Sequence, residues 1–258
     1  MEIKMKKINI NGIQIAYARK GTGVPLVLVH GYPLDHTIWD EVIPALENDF
    51  DIILPDQRGF GSSDVVENQY KILDMAADIA GLLDQLGIEK AAIAGHSMGG
   101  YISLSFARAY PEHVLGLGLI ASQASADPPE RKQGRYEAAA EIMKTGVEPV
   151  AESMSAKLTP DEQVQVFVRG LIAKQQPAGL AGALKAMAER DDSTSILSGF
   201  NFPVVVVHGE ADELIPLQRA QEIKAAVPHA TLIELSGVGH MPMMENPGAT
   251  ATALKNLR

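Results

Sequence analysis

At 258 residues the chain is long enough to bury one large core with an inserted subdomain. A formal net charge of −10 argues against nucleic acid or an anionic membrane as the main partner, since both reward clustered Lys and Arg. With no cysteine, disulfides, a thiolate nucleophile and a Cys-ligated metal are all excluded.

The N-terminus, Met1-Glu2-Ile3-Lys4-Met5-Lys6-Lys7, runs into alternating strand residues instead of the apolar stretch of a signal peptide. No apolar run approaches the ~20 residues that span a bilayer, so a cytoplasmic protein with no membrane partner is expected. Ile8-Asn9-Ile10, the turn pair Asn11-Gly12 and Ile13 to Tyr17 together predict a β-hairpin. Pro25 to His30 is apolar throughout until its last residue, as a strand buried on both faces of a parallel sheet should be. A helical spacing follows in Ile38, Trp39, Val42, Ile43 and Leu46, and then a strand over Phe50 to Leu54. Met75, Ile79, Leu82, Leu83 and Leu86 mark the next helix, which Gly87 stops.

The most informative stretch is Ala91-Ala92-Ile93-Ala94-Gly95-His96-Ser97-Met98-Gly99-Gly100-Tyr101. A strand over Lys90 to Ala94 turns straight into an amphipathic helix over Gly99 to Tyr110. Glycine two positions before and two after Ser97 lets the backbone pass closely on both sides. Such a turn holds Ser97 strained, with its hydroxyl exposed at the sheet edge beside free helix amides. This is the pattern of a nucleophile elbow. A strand over Val114 to Ala121 follows Pro111.

From Ser122 to Ser198 the strand rhythm stops, and helical segments are predicted around Arg135–Lys144, Val147–Lys157, Asp161–Lys174 and Pro177–Glu189. Strands return at Pro203–His208 and Thr231–Leu235. The expected architecture is therefore α/β, with a mainly parallel eight-stranded sheet flanked by helices. Residues 1–121 and 199–258 would form its core, and residues 122–198 a helical cap inserted after the sixth strand.

A serine hydroxyl needs an adjacent base, itself oriented by a third group. The last two strands supply both: Asp212 lies on the loop after the first of them and His240 on the loop after the second. The order Ser97, Asp212, His240 and the run of motifs around it resemble the α/β-hydrolase family, in its small cap-bearing esterase-like members. Those motifs are His30-Gly31-Tyr32-Pro33, Asp56-x-Arg58-Gly59-x-Gly61-x-Ser63, Gly95-x-Ser97-x-Gly99, Gly209-x-x-Asp212, and Gly239-His240 with Glu245-x-Pro247. The resemblance implies a Ser97–His240–Asp212 triad and an oxyanion hole made by the backbone N–H groups of Tyr32 and Met98. It implies a cofactor-free serine hydrolase acting on a small-molecule carboxylic ester or lactone. The cap is short, about 75 residues with apolar residues at helical spacing that pack down onto the core, and this predicts a closed pocket and a preference for short to medium chains. The same triad also serves C–C bond hydrolases, thioesterases, perhydrolases and ligand-binding receptors. An aspartate nucleophile would have suggested a dehalogenase or epoxide hydrolase, and the serine argues against both.

Other residues read structurally. Leu34, Met143, Leu214 and Met241 are expected to line the substrate pocket under the cap. His30, His96 and His208 adjoin strand ends and read as structural hydrogen-bonding groups, while His36 and His113 read as surface positions. His30 and His36 show no third ligand at metal spacing, so no metal site is expected. Asp56 and Arg58 read as fixing their loop by ion pairing. Gly116-x-Gly118 mimics a dinucleotide fingerprint but lies inside a strand, where that motif has no function. Glu210 competes weakly with Asp212 for the orienting acid. A monomer or small homo-oligomer is expected.

Overall fold

In the computed structural model, which describes residues 4–258, the chain begins with the predicted hairpin. Met1, Glu2 and Ile3 of the N-terminal run lie outside the described residues. Strand β1 (Lys6–Ile10) reverses into β2 (Ile13–Gly21) through Asn11 at φ 52° and Gly12 at φ 85°. Two consecutive left-handed residues are what a tight two-residue hairpin between twisted strands requires.

Next come β3 (Val24–Val29), the short α1 (Ile43–Leu46), β4 (Phe50–Pro55), α2 (Ile72–Gln85), β5 (Ala91–His96), α3 (Met98–Ala109) and β6 (Val114–Ile120). Helices α4 (Pro129–Thr145), α5 (Glu148–Leu158), α6 (Glu162–Ile172) and α7 (Pro177–Ala188) then separate β6 from β7 (Val204–Gly209). The chain closes with α8 (Gln218–Ala226), β8 (Thr231–Leu235), α9 (Pro242–Glu245) and α10 (Pro247–Leu254). The helix expected over Ile38 to Leu46 is instead a 3-10 turn at His36–Trp39 followed by α1. Pro44 near the start of α1 cannot donate to a preceding turn, so the two pieces stay separate while all five apolar residues remain buried.

The eight strands form one sheet in the order β1-β2-β4-β3-β5-β6-β7-β8, antiparallel at β1–β2 and β2–β4 and parallel elsewhere. The chain steps outward from β3 to β4 and then crosses back to β5 on the other side of β3. Between β3 and β5 the sheet therefore has its topological switch point, where strand-end loops splay apart and leave a crevice. Apolar residues pack on both faces: α2, α3 and α8 contribute to one cluster, α1 and α10 to the other. Gly116 and Gly118 have a packing reason, since a Cβ on either would press on Leu257, and one on Gly118 would also strike Ala94.

The loop after β4 is pinned by charge. Asp56 accepts from the backbone N–H of His36 (3.1 Å), from His36 Nδ1 (2.7 Å) and from the Ser62 N–H (2.8 Å). His36, expected at the surface, is thus largely buried against a carboxylate. Arg58 does not pair with Asp56 but with Asp78, through two bonds of 2.7 Å. Folding also brings Asp35 beside His36 and Asp56, a grouping invisible in sequence spacing. Asp35 caps Thr37 and Asp56 accepts the bonds just named, so the group reads as a closed hydrogen-bond network.

Burial opposes charge on His36, but its hydrogen bond to Asp56 and the carboxylate's charge raise the imidazole above its ordinary value. Asp56, also opposed by burial, is held below the usual carboxylate range by the same partner. A raised histidine stabilises the fold fully below the unfolded value of about 6.5, and that stabilisation is lost as pH rises through the folded value. Compared with the wild type, His36→Gln should therefore melt lower by roughly 2–4 °C on the acid side of neutrality. The gap should narrow toward alkaline pH. Calorimetry showing a constant gap, or one widening with pH, would contradict the pairing.

Candidate active site

Strand β5 ends at the predicted turn, and Ser97 adopts φ 51°, ψ −112°, a backbone region costly for any residue with a Cβ. From Ala91 to Tyr101 it is the only residue that is not buried. The surrounding structure dictates this conformation. A Cβ on Gly95 would enter the backbone of Gly99, and one on Gly99 would enter the Val29 carbonyl at the end of β3. The Ser97 N–H donates to Ile120 O (2.9 Å), and the Ser122 hydroxyl donates to Ser97 O (2.8 Å). Met98 opens α3, where the first backbone N–H groups have no partner within the helix and carry the positive end of its dipole. Strand β3 pairs with β5 in the register Val29 to Gly95, so the loop carrying Gly31 and Tyr32 leaves the sheet alongside the elbow.

Across the crevice, Asp212 and His240 come together. The Nδ1 of His240 lies 2.7 Å from Asp212 Oδ2, and both side chains are almost completely buried. Because an ionised carboxylate only accepts, Nδ1 carries the proton and Nε2 is left with a lone pair. The other Asp212 oxygen accepts from the N–H groups of Leu214 (2.8 Å) and Ile215 (3.0 Å). Burial pushes the Asp212 carboxyl up, but the charge and hydrogen bond of His240, with the Ile215 amide, outweigh it and hold the group below the usual range. Glu210 and Glu213 are exposed, so neither competes for this position.

The loop bearing His240 has its backbone groups accounted for. One carboxylate, Glu245, accepts from the N–H groups of Gly239 (2.8 Å) and Met241 (3.0 Å). The His240 N–H donates to Leu158 O at the end of α5 (2.9 Å), and its carbonyl lies 2.8 Å from His96 Nε2. His96 immediately precedes Ser97, so serine and histidine loops are joined one residue from the hydroxyl.

With this geometry in place, a profile for the alpha/beta hydrolase fold matches residues 24–247. The chain belongs to the α/β-hydrolase family. A solved structure of a thermophilic esterase from Thermogutta terrifontis, with malate bound, superposes at a TM-score of 0.93 and 34% identity. That match covers 98% of this chain and 97% of the esterase. Lipase 3 of Moraxella sp. (strain TA144) is 26% identical over 269 residues, covering 100% of this chain and 85% of the lipase. An enol-lactonase from Burkholderia xenovorans LB400 superposes at a TM-score of 0.90 over 98% of this chain and 99% of its own. At 22% identity that likeness speaks for the fold alone.

Within this α/β-hydrolase, the residues expected to line a pocket divide. Leu34 and Met241 are fully buried and Leu214 half-buried, all packed in the apolar cluster that also holds Leu158 and Val168 of α5 and α6. Met143 does not join them: its side chain is 59% exposed. Helix α4 turns Ala139 and Ile142 inward, and the next residue, about 100° further round, points to solvent. A separate cavity of about 130 Å³ is lined by Tyr101, Gln123, Arg190 and their neighbours and does not include Ser97 or His240. The parts played by Ser122 and Leu158 left no signal in the sequence. Glu245 stands in the motif quoted above, and folding adds the two amides it accepts from.

The remaining histidines take structural partners. His30 Nδ1 donates to Gly31 O (3.0 Å), while its Nε2 accepts from the Gln57 N–H (2.9 Å). His208 Nε2 donates to Ile215 O (2.8 Å) and stands 3.3 Å from Asp212. His113 bonds to Glu89 O at the surface end of β6. Among the described residues no helix is long and apolar enough to cross a membrane.

Proposed function

We propose that this chain is a serine hydrolase that cleaves carboxylic esters of short to medium acyl length, with lactones as the cyclic form of the same bond. The observation that carries the reading is the meeting of three elements at one sheet edge. These are a strained, partly exposed Ser97 at a strand-to-helix turn, the end of β3 beside it, and a buried His240–Asp212 pair linked to the same turn. Similarity to the thermophilic esterase and to Lipase 3 supports the reaction class.

In this reading Ser97 Oγ attacks the ester carbonyl carbon while His240 Nε2 takes the hydroxyl proton. Asp212 keeps the proton on Nδ1 and stabilises the imidazolium as it forms. The amides of Met98 and Tyr32 receive the oxyanion, which develops charge only as the tetrahedral centre forms. Collapse expels the alkoxide, which takes the proton from His240. Water, activated by the same imidazole, then releases the acid and regenerates Ser97.

Acyl length is limited by packing. Leu34, Met241 and the inward residues of α5 and α6 close the apolar region beside the site, which favours a blind pocket over an open lipid groove. Each methylene buried there should contribute about 0.8 kcal/mol, close to fourfold in kcat/KM, until the pocket is full. Further carbons then gain nothing or clash. A series of p-nitrophenyl esters should accordingly rise over the first few acyl carbons and fall thereafter. A monotonic rise to palmitate, or a jump in rate above the substrate's micelle threshold, would instead indicate a lipase.

A further inference from the structure

Buried between the two loops that must converge on Ser97 is the ring of His96, a residue the mechanism above leaves unused. On one side its Nε2 lies 2.8 Å from the carbonyl of His240, with the two ring centroids 4.9 Å apart. A carbonyl can only accept, so Nε2 carries the proton and His96 is the neutral Nε2–H tautomer. On the other side its Nδ1 edge presses on Gly31, where any Cβ would collide with it. That nitrogen, fully buried, has no hydrogen-bond partner among the described residues.

A residue placed only to fill space would not need a donor at Nε2. That bond and the close contact with Gly31 follow if the ring has two tasks. It must hold the His240 backbone by one directed bond and keep the Gly31–Tyr32 loop at a fixed distance across the serine. The His240 N–H is tied to Leu158 on α5, and Glu245 takes the flanking amides. The His240 carbonyl is therefore the loop's direct hydrogen-bonded link back to the elbow.

The ring must also stay uncharged, because an imidazolium forms beside it during each turnover. The titratable groups that act on it besides His240 are Asp212, whose charge favours protonation, and His30, which is hydrogen-bonded to Gly31 and disfavours it. Burial first, and then the adjoining His240, hold His96 well below the ordinary histidine value.

Resting on the serine-hydrolase reading, we infer that His96 is a positioning residue for catalysis, a neutral donor and spacer that sets the reach between Ser97 and His240. Loss of the bond should act on the rate of chemistry more than on substrate binding, since misplacing a base by about 1 Å can cost on the order of 100-fold.

The test compares His96→Phe, His96→Gln and His96→Asn, assayed on p-nitrophenyl butyrate. Rates are normalised to sites titrated by a fluorophosphonate. Phenylalanine keeps the ring and loses the donor. Glutamine places an N–H close to the Nε2 position, and asparagine falls short of it. The expected result is a kcat roughly 10- to 100-fold lower for His96→Phe and His96→Asn, with KM within about twofold. His96→Gln should recover to within about fivefold of the wild type. The His240 Nδ1 proton should keep its low-field NMR signal in the glutamine variant and lose or shift it in the asparagine variant. If His96→Phe does not fold, the glutamine and asparagine pair still decides the matter, because both are polar and uncharged. Wild-type kcat in His96→Asn, equal losses in the glutamine and asparagine variants, or a change confined to KM would overturn the inference. Ser97→Ala is run alongside: an active Ser97→Ala sinks the hydrolase reading itself. An inactive one with an unimpaired His96→Asn sinks only the role of His96.

Discussion

Ser97→Ala should lower kcat for p-nitrophenyl butyrate by about 10⁶, the size of effect seen when a triad serine is removed from a serine protease. The loss follows from covalent catalysis: without Oγ no acyl-enzyme forms, and His240 has no hydroxyl to deprotonate. Amides aimed at a developing oxyanion can still act on a direct attack by water, so a trace rate about 10³–10⁴ above the uncatalysed reaction should survive. The fold should be untouched. Alanine keeps the Cβ and meets the same strain at φ 51°, while the backbone bonds to Ile120 and Ser122 do not involve the hydroxyl. A melting temperature within about 2 °C of the wild type, measured on the same preparation, separates lost chemistry from lost structure. Should the variant keep more than a hundredth of the wild-type kcat, another residue must be the nucleophile.

What could be read from the sequence was whatever depends on local pattern. Apolar runs and their punctuation gave the eight strands and the four-helix insertion between β6 and β7, because those signals live within ten or fifteen residues. The elbow was legible for a similar reason, since Gly95 and Gly99 are forced by contacts that any strand-to-helix turn of this kind creates. Residues whose partners lie far along the chain were not legible. His36 reads as a surface position until folding sets it against Asp56, and Arg58 finds Asp78 on α2 instead of its neighbour in sequence. Leu158 enters the site through its backbone oxygen, which no side-chain pattern encodes. Met143 was misjudged because helical spacing gives a face only to within about one residue, and one residue on an α-helix is the difference between core and solvent. His96 was read correctly as a hydrogen-bonding group, but its partner, 144 positions away, gives that bond its meaning.

Asp212→Asn should reduce kcat by about 10⁴, whereas Glu210→Gln should stay within about twofold of the wild type. Both substitutions replace a carboxylate by an amide of nearly equal size, and the two acids stand two positions apart on one loop. Charge and volume changes are therefore matched, and geometry alone distinguishes them. Glu210 is exposed. Asp212 accepts from His240 Nδ1 at 2.7 Å and from two backbone amides, in a position closed to solvent. An asparagine there can keep its carbonyl on the Leu214 and Ile215 amides, which turns its NH₂ toward His240. Imidazole then accepts at Nδ1 and carries its proton on Nε2, facing Ser97 with a donor where a base is needed. The positive charge that forms on His240 also loses its counter-ion in a buried site, where an uncompensated charge is most costly. The two effects act on the same step, so KM should change little while kcat collapses. Because the ordinary state of His240 depends on Asp212 being ionised, the NMR signal of its Nδ1 proton should vanish in Asp212→Asn and persist in Glu210→Gln. Equal kinetic losses in the two variants would reassign the orienting acid, and an unchanged Nδ1 signal in Asp212→Asn would show that the tautomer is held by something other than this carboxylate.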